Sequence, residues 1–336
     1  MAANPNALQW DGGAGHYEVY YLSATDRATG CGLWIRYTMV APEAGAGEPT
    51  CSLWFMAMDP ERREVLGRKS SWPASALSSV PEPFELRIDD ALLTDAGMAG
   101  EFEDVSWDLR WTSHLPPAEP VHPLLRRARL AKTVLVVPHP DLELEGSVSF
   151  PGRELRLAGA RGGQAHLWGS KHASRWAWTH CNDFESLEGE PRPGSFFEGV
   201  SVFVPRLGRE LGPNTPIVGR FGGEDFSSTG PLQVTRTDSR FGLTSWQVEA
   251  RGGERRVVAD VDADREQLVG VTYHDPDGDQ AYCYNSETAT MRVRVWRRDR
   301  TVGEGWRLEE ELVAPGRAHF EYAQREPVPD LRLQVT

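Results

Sequence analysis

Residues 164–184 hold a dense set of side chains that could bind and protonate an organic molecule: three tryptophans, three histidines and an Asn-Asp pair. From Arg175 onward the segment alternates as a β-strand does. Its wide, aromatic face carries Trp176, Trp178, His180 and Asn182. Flat rings with a few polar tips suit a pocket for a bulky, mostly apolar ligand. The alternative interpretation is a β core whose indole and imidazole groups find internal partners.

Three residues are candidate proton donors, namely His180, Asp183 and Glu287. Within residues 282–288, Glu287 shares one strand face with Cys283 and Asn285. A carboxyl group beside indole rings would have its pKa raised by desolvation and would then be able to donate a proton at neutral pH. The alternative is that Glu287 ends its strand in water.

Further residues are predicted to bind the ligand because they are aromatic or polar and lie in strand-like segments. They are His166, Trp168, Trp176, Trp178, Asn182, Trp34, Arg36, Tyr21, Tyr282 and Asn285. Arg36, if buried, needs an acidic partner or an acidic ligand. Asp59 and Glu198 are both candidates for that partner, and the sequence does not choose between them.

Metal and nucleotide chemistry are the less favoured interpretations. A strand-built metal site of His166, His172 and His180 is an alternative, but acid–base use or core hydrogen bonding of His180 is preferred. The run Asp-Pro-Asp-Gly-Asp at 275–279 is interpreted as a hairpin turn, because its glycine comes too early for a calcium-binding EF-hand loop. The sequence has neither a Gly-x-Ser-x-Gly elbow nor a glycine-rich phosphate loop. We therefore expect no metal and no cofactor.

Composition restricts the partners and the compartment. The 336 residues carry a net charge of -13, which disfavours binding to nucleic acid. No apolar run approaches the roughly 20 residues of a membrane span, and the first residues do not resemble a signal peptide. The four cysteines have no paired spacing, which is typical of free thiols in a cytoplasmic protein. The expected partner is a hydrophobic small molecule, and the oligomeric state stays open.

The elements that must position these residues are strands. Short runs of β-branched and aromatic residues alternate with Gly, Pro and Asp turns, and no amphipathic helix separates them. This pattern predicts an all-β fold of antiparallel barrels or sandwiches, and residues 1–160 and 161–336 each hold enough strands for one barrel. The Pro-Gly pair at 151–152 predicts a tight hairpin, and the basic segment 124–132 predicts a solvated face.

The residues at 168–184 resemble the signature of the tocopherol cyclase family, Trp-Gly…Trp-x-Trp-x-x-Cys-Asn-x-Phe. The matching residues are Trp168, Gly169, Trp176, Trp178, Cys181, Asn182 and Phe184. That family is related to carotenoid 1,2-hydratase (hydroxyneurosporene synthase) and to AttH-like proteins. The resemblance implies two lipocalin-like (calycin) barrels that act without metal or nucleotide on isoprenoid- or polyketide-like molecules. His180 stands where the plant enzymes carry glutamine, which argues against tocopherol precursors as the substrate.

The first functional hypothesis is a cofactor-independent cyclase, hydratase or isomerase. A protonated side chain would deliver a proton to an alkene, and Trp176 and Trp178 would stabilise the resulting cation through their π faces. The second hypothesis is a lipocalin-type carrier of a hydrophobic molecule, with no chemistry. A third is a partner-docking protein whose barrels are filled by their own side chains.

Overall fold

The computed structural model describes residues 4–122, 132–206, 209–303 and 305–336. Nearly all regular structure in these residues is antiparallel β-strand, so the all-β prediction is confirmed. The predicted basic segment 124–132 lies outside the described residues except for Lys132. No helix in the described ranges is both long and apolar enough to cross a membrane.

Eleven strands form the first sheet, in the spatial order β4-β3-β2-β1-β11-β10-β9-β8-β7-β6-β5. One 3-10 turn (Ala74–Ala76) separates β4 from β5. The strands are β1 (His16–Thr25), β2 (Gly32–Ala41), β3 (Thr50–Asp59), β4 (Glu64–Pro73), β5 (Leu77–Pro81), β6 (Phe84–Ile88), β7 (Ala91–Thr94), β8 (Gly97–Phe102), β9 (Val105–Ser113), β10 (Thr133–Phe150) and β11 (Arg153–Gly169).

Twelve strands form the second sheet, whose main path is β16-β15-β13-β12-β22-β21-β19-β18-β17. A short helix, α1 (Pro231–Val234), and a 3-10 turn (Arg265–Gln267) interrupt it. The strands are β12 (Arg175–Cys181), β13 (Phe196–Arg206), β14 (Arg209–Asn214), β15 (Ile217–Phe221), β16 (Glu224–Ser228), β17 (Asp238–Gly242), β18 (Ser245–Gly252), β19 (Arg255–Asp262), β20 (Val269–His274), β21 (Gln280–Arg298), β22 (Trp306–Gln324) and β23 (Leu333–Val335).

Both sheets curl back on themselves, because β6 contacts β3 in the first sheet and β16 contacts β18 in the second. The chain passes from one sheet to the other between β11, which ends at Gly169, and β12, which begins at Arg175. The boundary expected at residue 160 therefore falls inside β11.

Two predicted turns are confirmed. Phe150 pairs with Arg153 across the Pro-Gly turn, which joins β10 to β11 as a tight hairpin. The Asp275–Asp279 run closes the β20–β21 hairpin, where the Asp275 N–H donates to the Asp279 carbonyl over 2.8 Å. The calcium alternative loses its basis at this run, because these aspartates hold the turn and bind neighbouring cations.

Each barrel is filled by its own side chains, and a third buried layer lies between the two sheets. Leu33, Ile35 and Tyr37 point into the first barrel, whereas Trp34 and Arg36 on the same strand point toward the second sheet, as strand alternation requires. We name this third region the inter-sheet layer. Its apolar members are Tyr17, Val19, Tyr21, Trp34, Trp54, Met56, Met58, Leu135, Val137, Ala165, Trp176, Trp178, Val269, Val271, Tyr273, Ala281, Cys283, Ala323 and Val335.

Candidate functional site

Strand β12 presents its two faces to two different interiors. Ala177 and Cys181 belong to the core of the second barrel, whereas Trp176 and Trp178 belong to the inter-sheet layer. The predicted division into a small face and a wide, aromatic face is confirmed. The wide face is turned away from the lumen of its own barrel and packs against the first sheet, so any site built on it lies between the sheets.

His180 is the polar tip of this face and forms a buried dyad with Glu198 of β13. His180 Nδ1 lies 3.0 Å from Glu198 Oε2, and the Trp178 indole N–H donates to Glu198 Oε1 over 2.6 Å. Burial raises the pKa of Glu198, and the contact with His180 opposes that shift. His180 Nε2 is buried and has no hydrogen-bond partner in the structure. Its ring therefore has one anchored nitrogen and one free nitrogen.

A second acid–imidazole pair lies beside this dyad. His319 Nδ1 is 2.7 Å from Glu287 Oε2, but the two atoms are misaligned for a hydrogen bond, and both Glu287 oxygens lack a partner. Burial raises the pKa of Glu287 to about 8, with Ser23 and His180 acting in the opposite sense. Burial and neighbouring His180 hold the pKa of His319 well below its usual value. Glu287 is therefore mostly protonated at neutral pH and His319 is neutral.

The two pairs form one cluster, which we call the acid–base cluster: His180, Glu198, Glu287 and His319. The His180 and His319 rings stack with centroids 5.9 Å apart. Two glycines of the first sheet make room for the cluster. A Cβ on Gly163 would lie 2.5 Å from His180 Nε2, and a Cβ on Gly32 would lie 2.5 Å from Glu287 Cβ. The cluster thus combines a protonated carboxyl group on Glu287, a neutral imidazole on His319 and a His180 nitrogen without a hydrogen-bond partner, which are the group types that proton transfer to and from carbon needs.

An aromatic wall adjoins the cluster on the side of the first sheet. Tyr21 meets Trp178 edge to face at 5.4 Å, and Trp34 meets Trp54 at 6.5 Å. Both Tyr21 and Trp178 retain a small exposed fraction, 7% and 6%. Leu135, Trp176 and Trp54 of the same layer are exposed to a similar extent, 8%, 6% and 5%, so the layer is closely packed but not completely closed.

Arg36 is buried in this wall, and neither of the two acidic partners considered from the sequence binds it. Asp59 pairs with Arg62 and Arg153, and Glu198 is bound to His180 and Trp178. The guanidinium instead lies over aromatic rings, 4.2 Å from the Tyr273 ring centroid. Neither candidate partner named from the sequence is therefore correct.

The inter-sheet layer ends at two surface grooves. One groove, of about 530 Å³, includes Lys171 and Arg325 in its lining. Arg325 donates to the His172 carbonyl over 2.6 Å, and the His172 ring stacks on Trp176 with centroids 5.4 Å apart. The side chains of Arg325 and His172 thus separate this groove from Trp176 on the aromatic face of β12.

The other groove, of about 420 Å³, lies at the opposite end of the layer, and its lining includes Arg27, Arg317 and Thr288. Thr288 directly follows Glu287, so this groove adjoins the acid–base cluster. Asp183 accepts two hydrogen bonds from Arg27, one of them over 2.8 Å, and lies 3.7 Å from Arg317 Nε. These contacts make Asp183 an anchor for two cations, and we leave it out of the acid set proposed below.

Several predicted binding residues lie outside the inter-sheet layer. His166 and Trp168 face the side of the first barrel, where His166 contacts Glu18 and stacks on Tyr20. Tyr282 packs against the core of the second barrel. Asn182 bridges the sheets by donating to Asp141 Oδ1 over 2.8 Å. Asn285 is in the layer and donates to Cys283 Sγ over 3.4 Å.

The three-histidine metal hypothesis is wrong. His166 contacts Glu18, His172 contacts Asp275 and His180 contacts Glu198, so each has its own carboxylate. Within the described ranges, no group of three or more His, Cys, Asp or Glu side chains is arranged to hold a metal ion.

Two site residues were not found from the sequence, His319 and Glu321 of β22. Glu321 is partly buried and accepts from the Trp176 indole N–H, and burial raises its pKa. Both residues share one strand parity with Ala323 of the inter-sheet layer, whereas Phe320 and Tyr322 face the second barrel. The alternation that selected Trp176 and His180 would have selected them too.

No family model matches the chain. A protein of Mycobacterium tuberculosis, described as uncharacterized in two strains, is 29% identical over 292 residues, which cover 85% of this chain and 83% of that protein. An AttH-type protein of Nitrosomonas europaea superposes with a TM-score of 0.56 at 12% identity, covering 97% of this chain and 100% of the other. CghA superposes with a TM-score of 0.58 at 11% identity, covering 96% and 92%. The structure of CghA with Sch210972 superposes with a TM-score of 0.56 at 12% identity, covering 92% of this chain and 88% of the other.

These likenesses establish the fold at full length. The chain consists of two tandem lipocalin-like antiparallel barrels, as predicted. At 11–12% identity they carry no information on the reaction. The function must therefore be inferred from the geometry of the inter-sheet layer.

Proposed function

We propose that this protein is a cofactor-independent enzyme that transfers protons to and from a bulky hydrophobic small molecule held between its two sheets. The expected outcome is cyclisation, hydration or isomerisation of an isoprenoid- or polyketide-like alkene. The observation that carries the proposal is the acid–base cluster: a protonated buried carboxyl group and a free imidazole nitrogen beside an aromatic wall.

In the proposed reaction, Glu287 is the general acid. The electron pair of the substrate double bond takes the Glu287 proton, which forms a C–H bond and leaves a cation at the neighbouring carbon. The π faces of Trp178 and Tyr21 stabilise that cation while the layer excludes bulk water. Glu287 has no aligned hydrogen bond, so turning its carboxyl group toward the substrate breaks none, although the close contact of Oε2 with His319 Nδ1 at 2.7 Å must open.

His180 is the proposed general base. Glu198 holds Nδ1 over 3.0 Å and so leaves Nε2 as the acceptor, and the absence of a Cβ on Gly163 makes room for the His180 ring. Transfer of a proton from the cation to His180 completes a cyclisation or isomerisation, and addition of water with loss of a water proton to His180 completes a hydration. Exchange with solvent after product release returns His180 and Glu287 to their starting protonation states.

Two independent features support a small-molecule substrate. The sequence signature resembles that of tocopherol cyclases and carotenoid 1,2-hydratases, and we extend the proposal to membership of that wider group. One structural neighbour, CghA, was solved with Sch210972. The proposal requires no metal, nucleotide or nucleic-acid partner. The four unpaired, buried thiols support a cytoplasmic location.

Deuterium incorporation tests the proposal. The organic extract of the purified, denatured protein, compared with that of a W176A/W178A variant, supplies candidate compounds. These compounds and geranylgeraniol are then incubated with the protein in D₂O and analysed by mass spectrometry. We expect a product with deuterium on carbon, and a rate about 10²–10⁴ lower for Glu287→Gln, as for loss of a general acid.

Three results would contradict parts of this proposal. Unchanged turnover by Glu287→Gln would exclude Glu287 as the acid. A product without deuterium on carbon would indicate templated ring closure. Tight binding with chemically unchanged release would identify the protein as a carrier.

A further inference from the structure

Arg36 is a buried cation with no carboxylate in direct contact, and Glu321 acts on it only electrostatically. The residue is 5% exposed, its Nε has no hydrogen-bond partner, and it forms no ion pair within 4.0 Å with any carboxylate in the described part of the chain. Arginine carries five N–H donors in a fixed planar fork and stays protonated. Burying such a group without a partner is costly, so a protein keeps one only where another interaction compensates.

Its surroundings supply only partial compensation. The guanidinium carbon lies 5.4 Å from the ring centroids of Trp34 and Trp54 and 4.2 Å from that of Tyr273. Cation–π contacts offset part of the desolvation, but they leave the buried Nε–H without an acceptor. The Glu321 carboxyl group already accepts a hydrogen bond from the Trp176 indole N–H, and the Tyr273 hydroxyl group donates to Glu321 Oε2 over 3.4 Å.

A second cation lies against the same ring. Lys69 Nζ is 4.4 Å from the Trp54 ring centroid, and burial together with Arg36 lowers its pKa. Two positive groups thus flank one indole, with an apolar layer next to them. This arrangement favours a molecule that combines an apolar body with a negative charge.

The register of β1 against β2 places the Arg36 charge close to the acid–base cluster. Arg36 pairs with Tyr21 across β2 and β1, and Ser23, two residues along β1, contacts Glu287. Two residues of strand span about 7 Å. A ligand group bound at Arg36 would therefore hold the adjoining carbon skeleton at the acid–base cluster.

We propose that the substrate is a hydrophobic molecule ending in a planar oxyanion, a carboxylate, and that the Arg36 guanidinium binds this group bidentately. The inference rests on the proposed function, because it names the substrate class of the same site. A carboxylate matches the Arg fork with two parallel N–H···O bonds, which neither an alcohol nor a hydrocarbon end can form.

Matched acid and alcohol pairs test the inference: farnesoic acid with farnesol, geranylgeranoic acid with geranylgeraniol, and palmitic acid with hexadecanol. Affinity is measured by quenching of tryptophan fluorescence. We expect at least one acid of the series to bind the parent protein about tenfold or more tightly than its alcohol, as for a charge-assisted pair. Arg36→Met should abolish that preference and leave the alcohol affinity within about twofold.

Two further variants locate the effect. Arg240→Met changes an exposed arginine (79% side-chain exposure) and should leave the preference intact. Lys69→Met should weaken the preference less than Arg36→Met does. If no acid in the series is preferred, if Arg36→Met keeps the preference, or if only Lys69→Met removes it, the inference is overturned.

A ligand-free measurement checks the premise. Arg36→Met replaces an unpaired buried charge by an apolar side chain and should melt at the same temperature as the parent or higher. A lower melting temperature would show that the charge is already satisfied, which also overturns the inference. Failure here is distinguishable from failure of the proposed function, because deuterium transfer that depends on Glu287 is measured with the neutral alkene geranylgeraniol.

Discussion

Two glutamates of this molecule, Glu18 and Glu287, are both fully buried and yet sit in opposite environments. Glu18 lies on the barrel side of β1 and has five polar partners. They are the backbone N–H groups of Gln9 and Trp10, the Tyr20 hydroxyl, and the imidazoles of His16 and His166. Burial alone would raise the pKa of Glu18, but these partners lower it to about 2.

Glu287 lies in the inter-sheet layer, and neither of its oxygens accepts a hydrogen bond. Burial therefore dominates and raises its pKa to about 8. The contrast shows that the number of donors aimed at a carboxylate, and not its depth, decides its charge. Glu18 ties the N-terminal segment to the first barrel, whereas Glu287 keeps a proton available at the cost of folding stability.

The largest expected effect is a difference in pH dependence. The folded pKa of Glu287 is raised above its unfolded value of 4.5. Its contribution to the free energy of unfolding is thus complete below about pH 4.5 and is lost as the pH rises through about 8. Over that window the contribution falls by at most about 5 kcal/mol, at 1.36 kcal/mol per pKa unit.

Urea unfolding of the parent and of Glu287→Gln at several pH values measures this effect. Glutamine cannot ionise, so the variant should gain stability relative to the parent as the pH rises from 5 to 9. Taking the difference between the two proteins cancels the titration of groups that do not interact with Glu287. A constant difference across the range would mean that Glu287 does not keep its proton on folding.

The next effect concerns Glu18. The two oxygens of Glu18 accept from two backbone N–H groups. In Glu18→Gln one oxygen is replaced by an NH₂ group, which cannot accept, so at least one of these donors is left unsatisfied. We expect a loss of about 3 kcal/mol in the free energy of unfolding at pH 7, within the range for breaking a buried charged pair. Because the folded pKa of Glu18 is lowered, its stabilisation is present above about pH 4.5 and is lost as the pH falls toward 2.

Glu101→Gln is the matched control for Glu18→Gln, since Glu101 is exposed on β8. Its effect should stay within about 0.5 kcal/mol. Deuterium transfer by Glu18→Gln, measured below its unfolding transition, should equal that of the parent. A selective loss of transfer would mean that the two glutamates are coupled, contrary to the comparison made above.

The sequence was sufficient to predict the class of fold and the composition of one wall of the site. Strand alternation separates Trp176, Trp178 and His180 from Ala177 and Cys181 without knowledge of the tertiary structure. It does not say which interior each face meets, because both faces are buried. The interior that each face meets depends on how the two sheets pack against each other, which is a long-range property that no local pattern contains.

The size of the side chains was misleading on β11. His166 and Trp168 look like pocket residues, but the positions of β11 that face the layer are Gly163, Ala165 and the partly buried Leu167. The first two are small, and a Cβ on Gly163 would already collide with His180 of β12. Where two sheets pack against each other, large side chains on one sheet lie opposite small residues on the other. A search for large residues alone therefore finds only one of the two walls of such a site.

The smallest predicted effect tests that complementarity directly. In Gly163→Ala the added methyl group would lie 2.5 Å from His180 Nε2, so the imidazole must shift away from Glu198. Overpacking costs about 1–3 kcal/mol, and the gain from replacing a strand glycine offsets roughly 0.5–1 of it. We expect a net loss of about 1 kcal/mol in urea unfolding, together with slower deuterium transfer. Gly242→Ala is the control, because no atom lies within 4 Å of a Cβ built there. If Gly163→Ala behaved like Gly242→Ala in both measurements, the space beside His180 would not belong to the site, and the role of His180 as the base would lose its structural basis.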